Sequence, residues 1–269
     1  MEYLIAVDLE GIGGVVGSPN CTLTESFDYR VATENAVLEI NAAVSALFDS
    51  GADRVSVWDN HGGGNNIDFG QVDARAEKIT VPSGDYRFDF ALSHKYDGVI
   101  YLGYHSREGT FSGVLAHTYN SKAVQYAKIN GVEVGELEID SYIAATHGIS
   151  PLLLASDKAC VEQFAASSPE TVFVTTKYGT GRNSAELRPE EEILKEIYDG
   201  VKAALGKKIP PLSIEAPVLL EVRYTRAESA EELYNAAKED SGIEWVKYGS
   251  DTHTLIYKVT RLNRIPHFI

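Results

Sequence analysis

Residues 1–11 read MEYLIAVDLEG. The unbroken apolar run from Tyr3 to Val7, stopped by acids, has the character of a strand buried on both faces of a parallel sheet. Its carboxyl end delivers Asp8 and Glu10. The next forty residues carry Ala32, Ala36, Ile40, Ala43, Val44 and Leu47 at helical spacing, closed by Gly51 as a C-terminal cap. RVSVWDNH (54–61) then reads as a second strand. Strand, helix, strand is a βαβ unit, and its right-handed crossover makes the two strands parallel neighbours.

Outward from this unit the pattern repeats. GVIYLGYH (98–105), PLLLASD (151–157) and TVFVTT (171–176) are short apolar runs bounded by turn or helix signals. Between them AVQYAKINGVEVGEL (123–137) places Asn130-Gly131 between alternating apolar positions, which predicts a hairpin followed by a helix from Glu136. The expected fold is α/β, a mostly parallel open sheet with flanking helices and an inserted hairpin. After a helix over 190–205, IPPLSIEAP (209–217) reads as a semi-rigid linker. The domain boundary is placed there, giving a metal-binding catalytic domain over 1–209 and a small C-terminal α+β domain over 210–269. The latter is expected to hold a strand over 218–225, a helix over 229–240 opened by a Ser229/Glu232 capping box, and one or two further strands.

A chain of 269 residues can bury a full core. A net charge of −15 lacks the positive footprint of a nucleic-acid binder. No stretch approaches the ~18 apolar residues of a membrane helix, and the opening residues lack a basic signal region. Cys21 and Cys160 are far apart without ligand spacing, which fits a reducing cytoplasm. A cytoplasmic protein with no nucleic-acid or membrane partner is expected.

Three strands thus end in metal-capable side chains: Asp8 and Glu10, His61 in WDNH, and His105 in GYH. That edge of an open α/β sheet is where ligands bind. Each residue has a plain second reading: solvated strand-end acids, hydrogen-bonded structural histidines, and, for Glu136, a first-turn acid answering the helix dipole. As a set, imidazoles and carboxylates suit zinc, or Mn, Co or Fe, rather than Mg or Ca. Five ligands exceed what one catalytic zinc takes, so two ions sharing a carboxylate, with Asp8 as the bridge, are expected. His117 in SGVLAHTYN is a candidate to move a proton, or else a surface-loop histidine. Asp59, two residues before His61, is a candidate to orient that imidazole or to cap the strand end. Asn65 and Asn66 are expected to hold the Gly-rich turn. His94, His147, His253 and His267 are assigned structural or surface roles. GIGG (11–14) and GGGNN (62–66) lack the Lys-Ser/Thr of a phosphate loop.

These motifs together resemble the self-compartmentalising zinc D-aminopeptidases. AVDLEGI (6–12), WDNH (58–61), GYHS (103–106), GVLAHT (113–118) and VGEL (134–137) match the family's segments in order. The resemblance implies a di-zinc aminopeptidase with Asp8, Glu10, His61, His105 and Glu136 as ligands and His117 as the catalytic histidine. It also implies action on short peptides, including D-configured ones, and a homo-oligomer, a decamer of two pentameric rings. After Asp140 the likeness loosens, and the family's closing amphipathic helix has no counterpart in TLIYKVTRLNRIPHFI (254–269). Ser141, Arg182 and Asn183 are candidate wall residues of the substrate pocket. The competing functions are a di-metal amidohydrolase or phosphoesterase acting on a small metabolite, with Arg107 the nearest motif cation, and a non-catalytic metal-binding scaffold.

Overall fold

The computed structural model describes residues 1–79, 90 and 95–269. Its core is a seven-stranded sheet in the order β3-β2-β1-β4-β7-β8-β9. These strands are β1 (Glu2–Val7), β2 (Arg54–Asp59), β3 (Glu77–Ile79), β4 (Gly98–Leu102), β7 (Pro151–Asp157), β8 (Val172–Gly181) and β9 (Ser184–Leu187). All neighbours are parallel except the β8–β9 pair at one edge. The expected mostly parallel sheet is therefore present. Neither edge strand, β3 nor β9, stands out from the sequence, because each is short and partly polar.

The alternation of β1 explains how the sheet is covered. Tyr3, Ile5 and Val7 face one apolar cluster with α1 (Tyr29–Asp49) and α4 (Glu190–Leu205), while Leu4 and Ala6 face the other. Helix α1 ends as predicted. Gly51 adopts φ +88°, and the N–H groups of Gly51 and Ala52 donate to the carbonyls of Phe48 and Leu47, a Schellman motif. On the opposite face lie α2 (Glu136–Thr146), α3 (Lys158–Ser167) and a second, antiparallel sheet. No helix among the described residues is long and apolar enough to cross a membrane.

The second sheet has the order β11-β12-β10-β5-β6. Strands β5 (Val124–Ile129) and β6 (Val132–Val134) are the predicted hairpin, with Asn130 and Gly131 both at positive φ as a two-residue turn requires. The others are β10 (Val218–Tyr224), β11 (Ile243–Tyr248) and β12 (Thr254–Val259), flanked by α5 (Ala227–Glu239). Strand β10 pairs with β5 as well as β12, so this sheet draws on both sides of position 210. Helix α5 differs from expectation at its start. Its N-cap is Arg226, and Ser229 lies inside the first turn. The Thr225 N–H and Oγ1 bond the carbonyls of Ala123 and Lys122, which ends β10 early and lets the helix begin at once.

Helix α1 also braces the loop after β1. Glu39 Oε1 accepts the Gly13 N–H at 2.8 Å, and Asn35 Nδ2 donates to the Gly13 carbonyl at 2.8 Å. Burial pushes Glu39 up to about 7, against the lowering effect of the Gly13 N–H and Lys177. Its ordinary value is 4.5, so between these pH values the folded state binds the proton that the unfolded chain has released. Stability from this group is therefore greatest below pH ~4.5 and falls as pH rises towards 7. The Glu39→Gln variant is expected to gain on the parent through that window, reaching on the order of 2–3 kcal/mol above it in urea titrations across pH.

Candidate active site

Strand β1 lies between β2 and β4, so the chain order reverses beside it, and the crevice opens past the carboxyl ends of these strands. Two glycines allow the loops leaving β1 and β4 to cross there. A Cβ on Gly103 would lie 2.1 Å from the Asp8 carbonyl, and one on Gly11 would lie 2.0 Å from the Tyr104 carbonyl. Gly103 also has φ +71°, which favours glycine on conformational grounds. The Asp8 N–H donates to the Leu102 carbonyl at 2.8 Å, and the Gly11 N–H donates to the Gly103 carbonyl at 2.7 Å. Asp8 and His105 are thereby held at a set separation.

All five predicted ligand residues meet at this crossing. Because β1 ends at Val7, Asp8 and Glu10 converge through a turn rather than through strand alternation, yet both are buried. Asp8 offers one oxygen to each histidine: Oδ1 lies 2.8 Å from His61 Nδ1, and Oδ2 lies 3.4 Å from His105 Nε2. Glu10 Oε2 stands 3.1 Å from His61 Nδ1, and Glu136 Oε2, at the start of α2, stands 3.7 Å from His105 Nε2. Two donor groups of cation-binding size result, Asp8–Glu10–His105 and His105–His117–Glu136, each with its ligand atoms within 4.8 Å of one another. The buried His105 Nε2 has no hydrogen-bond partner. Its Nδ1 faces the Ser106 carbonyl at 3.0 Å, and a carbonyl can only accept, so Nδ1 carries a proton and Nε2 is the atom aimed into the cluster.

His117 stacks on His105 with ring centroids 3.8 Å apart. The same reasoning applies to its Nδ1, which faces the Leu115 carbonyl at 2.8 Å and leaves Nε2 free to accept. Burial and the neighbouring His105 hold His117 down at about 4, so it is neutral. His105 behaves oppositely. Burial lowers it, but the carboxylates of Glu136, Asp8 and Glu10 push it up to about 10. Burial and the charge of Glu10 raise Asp8 to about 7, whereas Glu10, despite burial, is drawn well below its usual range by His61. Imidazolium protons here neutralise carboxylates that would otherwise need a cation.

Several supports escape the sequence reading. Lys177, in the middle of β8 and fully buried, donates to the carbonyls of Glu10 and Ile12 at 2.6 Å each. Burial brings it down to about 8, against the raising effects of Asp157, Glu39 and Glu10. Asp140, one turn beyond Glu136 on α2, accepts from Tyr104 Oη at 2.8 Å, Asn60 Nδ2 at 3.1 Å and Tyr119 Oη at 2.8 Å. One buried carboxylate thus ties together the residue before His61, the residue before His105, the loop after His117 and the helix of Glu136. The spacing Glu136–Asp140 is a helical i, i+4 pair, and this is the signal that could have revealed it.

Other expected residues fall elsewhere. Asp59 does not touch the His61 imidazole. It accepts the N–H groups of Asn66 at 2.6 Å and Ile67 at 3.0 Å, while Asn66 Nδ2 donates to the His61 carbonyl at 2.6 Å. Its influence on His61 therefore runs through the turn, which Asn65 also closes by bonding the Gly63 carbonyl. A cavity of about 430 Å³ opens over the cluster, within the ~300–1,000 Å³ of small-ligand sites. Of the three proposed wall residues, Arg182 lines it. Ser141 is buried against Tyr101 Oη, and Asn183 bonds the Val16 carbonyl. Arg107 pairs with Glu133 and is not on the wall, which removes the cation nearest to hand for a phosphoester. His147 caps α2, His253 faces the Tyr224 carbonyl, and His267 packs edge-on to Phe268, all outside the cavity lining. His94 lies outside the described residues.

The chain is similar to known proteins in sequence and in fold. The sequence profile of a peptidase family, M55, described as D-aminopeptidase, matches residues 1–261. A D-aminopeptidase of Bacillus subtilis (strain 168) is 24% identical over 235 residues, covering 86% of this chain and 84% of that protein. The fold is similar to that of the Zn-dependent D-aminopeptidase DppA from Bacillus subtilis, described as a self-compartmentalizing protease. That match has a TM-score of 0.86 at 22% identity and covers 100% of this chain and 95% of the other.

The Asp140 network is expected to carry measurable stability. Asp140→Ala removes the acceptor shared by Tyr104, Asn60 and Tyr119 and should lower the unfolding free energy by about 2–4 kcal/mol in urea titrations. A loss below ~0.5 kcal/mol would mean that the network contributes little.

Proposed function

The chain belongs to the D-aminopeptidase family of peptidases, and on that premise we propose that it is a zinc-dependent aminopeptidase releasing N-terminal residues, D-residues included, from short peptides. The observation that carries this reading is Asp8, whose two carboxylate oxygens face different histidines, Oδ1 towards His61 and Oδ2 towards His105, with Glu10 and Glu136 beside them. Two zinc ions per chain would draw on these side chains, with Asp8, Glu10 and His61 to hold one and Asp8, His105 and Glu136 to hold the other. The unpartnered, inward-aimed Nε2 of His105 supports the fit. When bound, such a pair lowers the pKa of water and polarises a carbonyl.

The chain's own residues supply the rest. His117 is neutral with Nε2 as its acceptor, so it can take a proton from the attacking water and return it to the departing amine. Its stacking on His105 keeps that nitrogen beside the cluster. Lys177 and the glycine crossing hold Glu10 and Asp8 in place, so little reorganisation is needed when a substrate arrives. The assembly proposed is a homo-oligomer of two pentameric rings, supported by the self-compartmentalizing description of the similar fold and by exposed Phe27 and Phe111. The free cysteines Cys21 and Cys160 fit a cytoplasmic setting.

Chelation is expected to abolish hydrolysis of D-aminoacyl amides, and zinc to restore it. Elemental analysis should find two zinc ions per chain. The His117→Ala variant should keep that zinc but lose roughly 10²–10⁴ in kcat, whereas His105→Ala should lose zinc as well. Full turnover in His117→Ala, or a metal-free enzyme with undiminished activity, would reject the mechanism.

A further inference from the structure

The cavity wall is not made of metal-capable side chains alone. Besides these it contains Thr22, Thr24, Ser121 and Pro266, and among the described lining residues Arg182 is the sole lysine or arginine. Arg182 sits in the turn between β8 and β9. Its Nη1 donates to the carbonyl of Ala116, and its own carbonyl accepts the Leu115 N–H at 2.8 Å. The guanidinium is therefore fastened to the peptide group immediately before His117. One of its five N–H donors is used there, and among the described residues no carboxylate pairs with it.

An arginine held this way on a cavity wall presents a planar fork suited to a carboxylate. In a dipeptide, the free carboxylate lies about one residue, ~3.5 Å of extended chain, beyond the bond that an aminopeptidase cuts. Each added residue moves the carboxylate a similar distance further off. The guanidinium is bonded to the carbonyl of Ala116, the residue before His117, and Arg182 and His117 border the same cavity, so a substrate held beside His117 lies on the wall that carries the guanidinium.

The geometry points to Arg182 as the anchor for the C-terminal carboxylate of a dipeptide, a subsite that selects free dipeptides over amidated or longer ones. This rests on the aminopeptidase reading above and specifies the other end of its substrate. Arg182 also steadies the loop of His117, so a test must separate that role from anchoring.

The test compares kcat/KM of the zinc-loaded enzyme on D-alanyl-glycine, D-alanyl-glycinamide and D-alanyl-glycyl-glycine. The parent enzyme should prefer the dipeptide to its amide by roughly ten- to a hundredfold, chiefly through KM, with the tripeptide also disfavoured. In Arg182→Met the dipeptide-to-amide ratio should collapse towards one, and in Arg182→Lys it should be intermediate. A loop-steadying role alone lowers both substrates together and leaves the ratio unchanged. An unchanged ratio in Arg182→Met, or no preference in the parent, overturns the anchor while leaving the aminopeptidase reading intact. No cleavage of any of the three by the parent overturns both.

Discussion

Three carboxylates and the His105 imidazole are buried together, with the partly buried His61 beside them, where the loops leaving β1 and β4 cross. Removing such groups from water is unfavourable by several kcal/mol per charge unless opposite charge lies beside them. Much of the surrounding structure answers this constraint. Asp8 and Glu10 share His61, Asp8 and Glu136 flank His105, and Lys177 lies under the backbone of Glu10. The neighbouring carboxylates favour the protonated imidazoles of His61 and His105, whose protons offset the carboxylate charge. The same charge balance makes the cluster receptive to divalent ions, which would take over that role.

The fold supplies rigidity where the charges meet. Parallel strands set the spacing of Asp8, His61 and His105, because residues at the ends of hydrogen-bonded strands inherit the sheet's register. The glycines at 11 and 103 let two backbones approach more closely than any side chain would permit. Asp140 then connects four segments through a single carboxylate, and Asp59 holds the turn behind His61. Positioning thus comes from a layer of buried polar groups that need not touch the substrate.

The second sheet carries elements that reach the cluster and its cavity. Hairpin β5–β6 leads directly into α2 and hence to Glu136, and its partner β10 belongs to the C-terminal segment. That segment closes with a 3-10 helix, Leu262–Phe268, which brings Pro266 to the cavity. Residues far apart in the chain therefore share one apolar cluster against the parallel sheet. The chain order of a boundary near 210 and the spatial order of the second sheet are different things.

Local signals in the sequence determined the strands other than β3 and β9, the long helix, the Asn130-Gly131 hairpin and the set of metal-capable residues. Apolar periodicity and turn chemistry act over a few residues, and a strand's carboxyl end is visible from where its apolar run stops. The start of α5 was misplaced because a good capping box at Ser229 competed with tertiary bonds at Thr225, which no local pattern encodes. The tertiary structure alone decided that Asp59 serves the turn rather than the imidazole, that Lys177 sits beneath Glu10, and that Asp140 gathers Asn60, Tyr104 and Tyr119. It also placed Arg182, and not Ser141 or Asn183, on the cavity wall. The Asp140 and Lys177 contacts join residues 21 to 167 apart and depend on how the sheets close on one another, whereas Asp59 reaches 7 residues ahead and depends on how the Gly-rich turn folds back on the strand end.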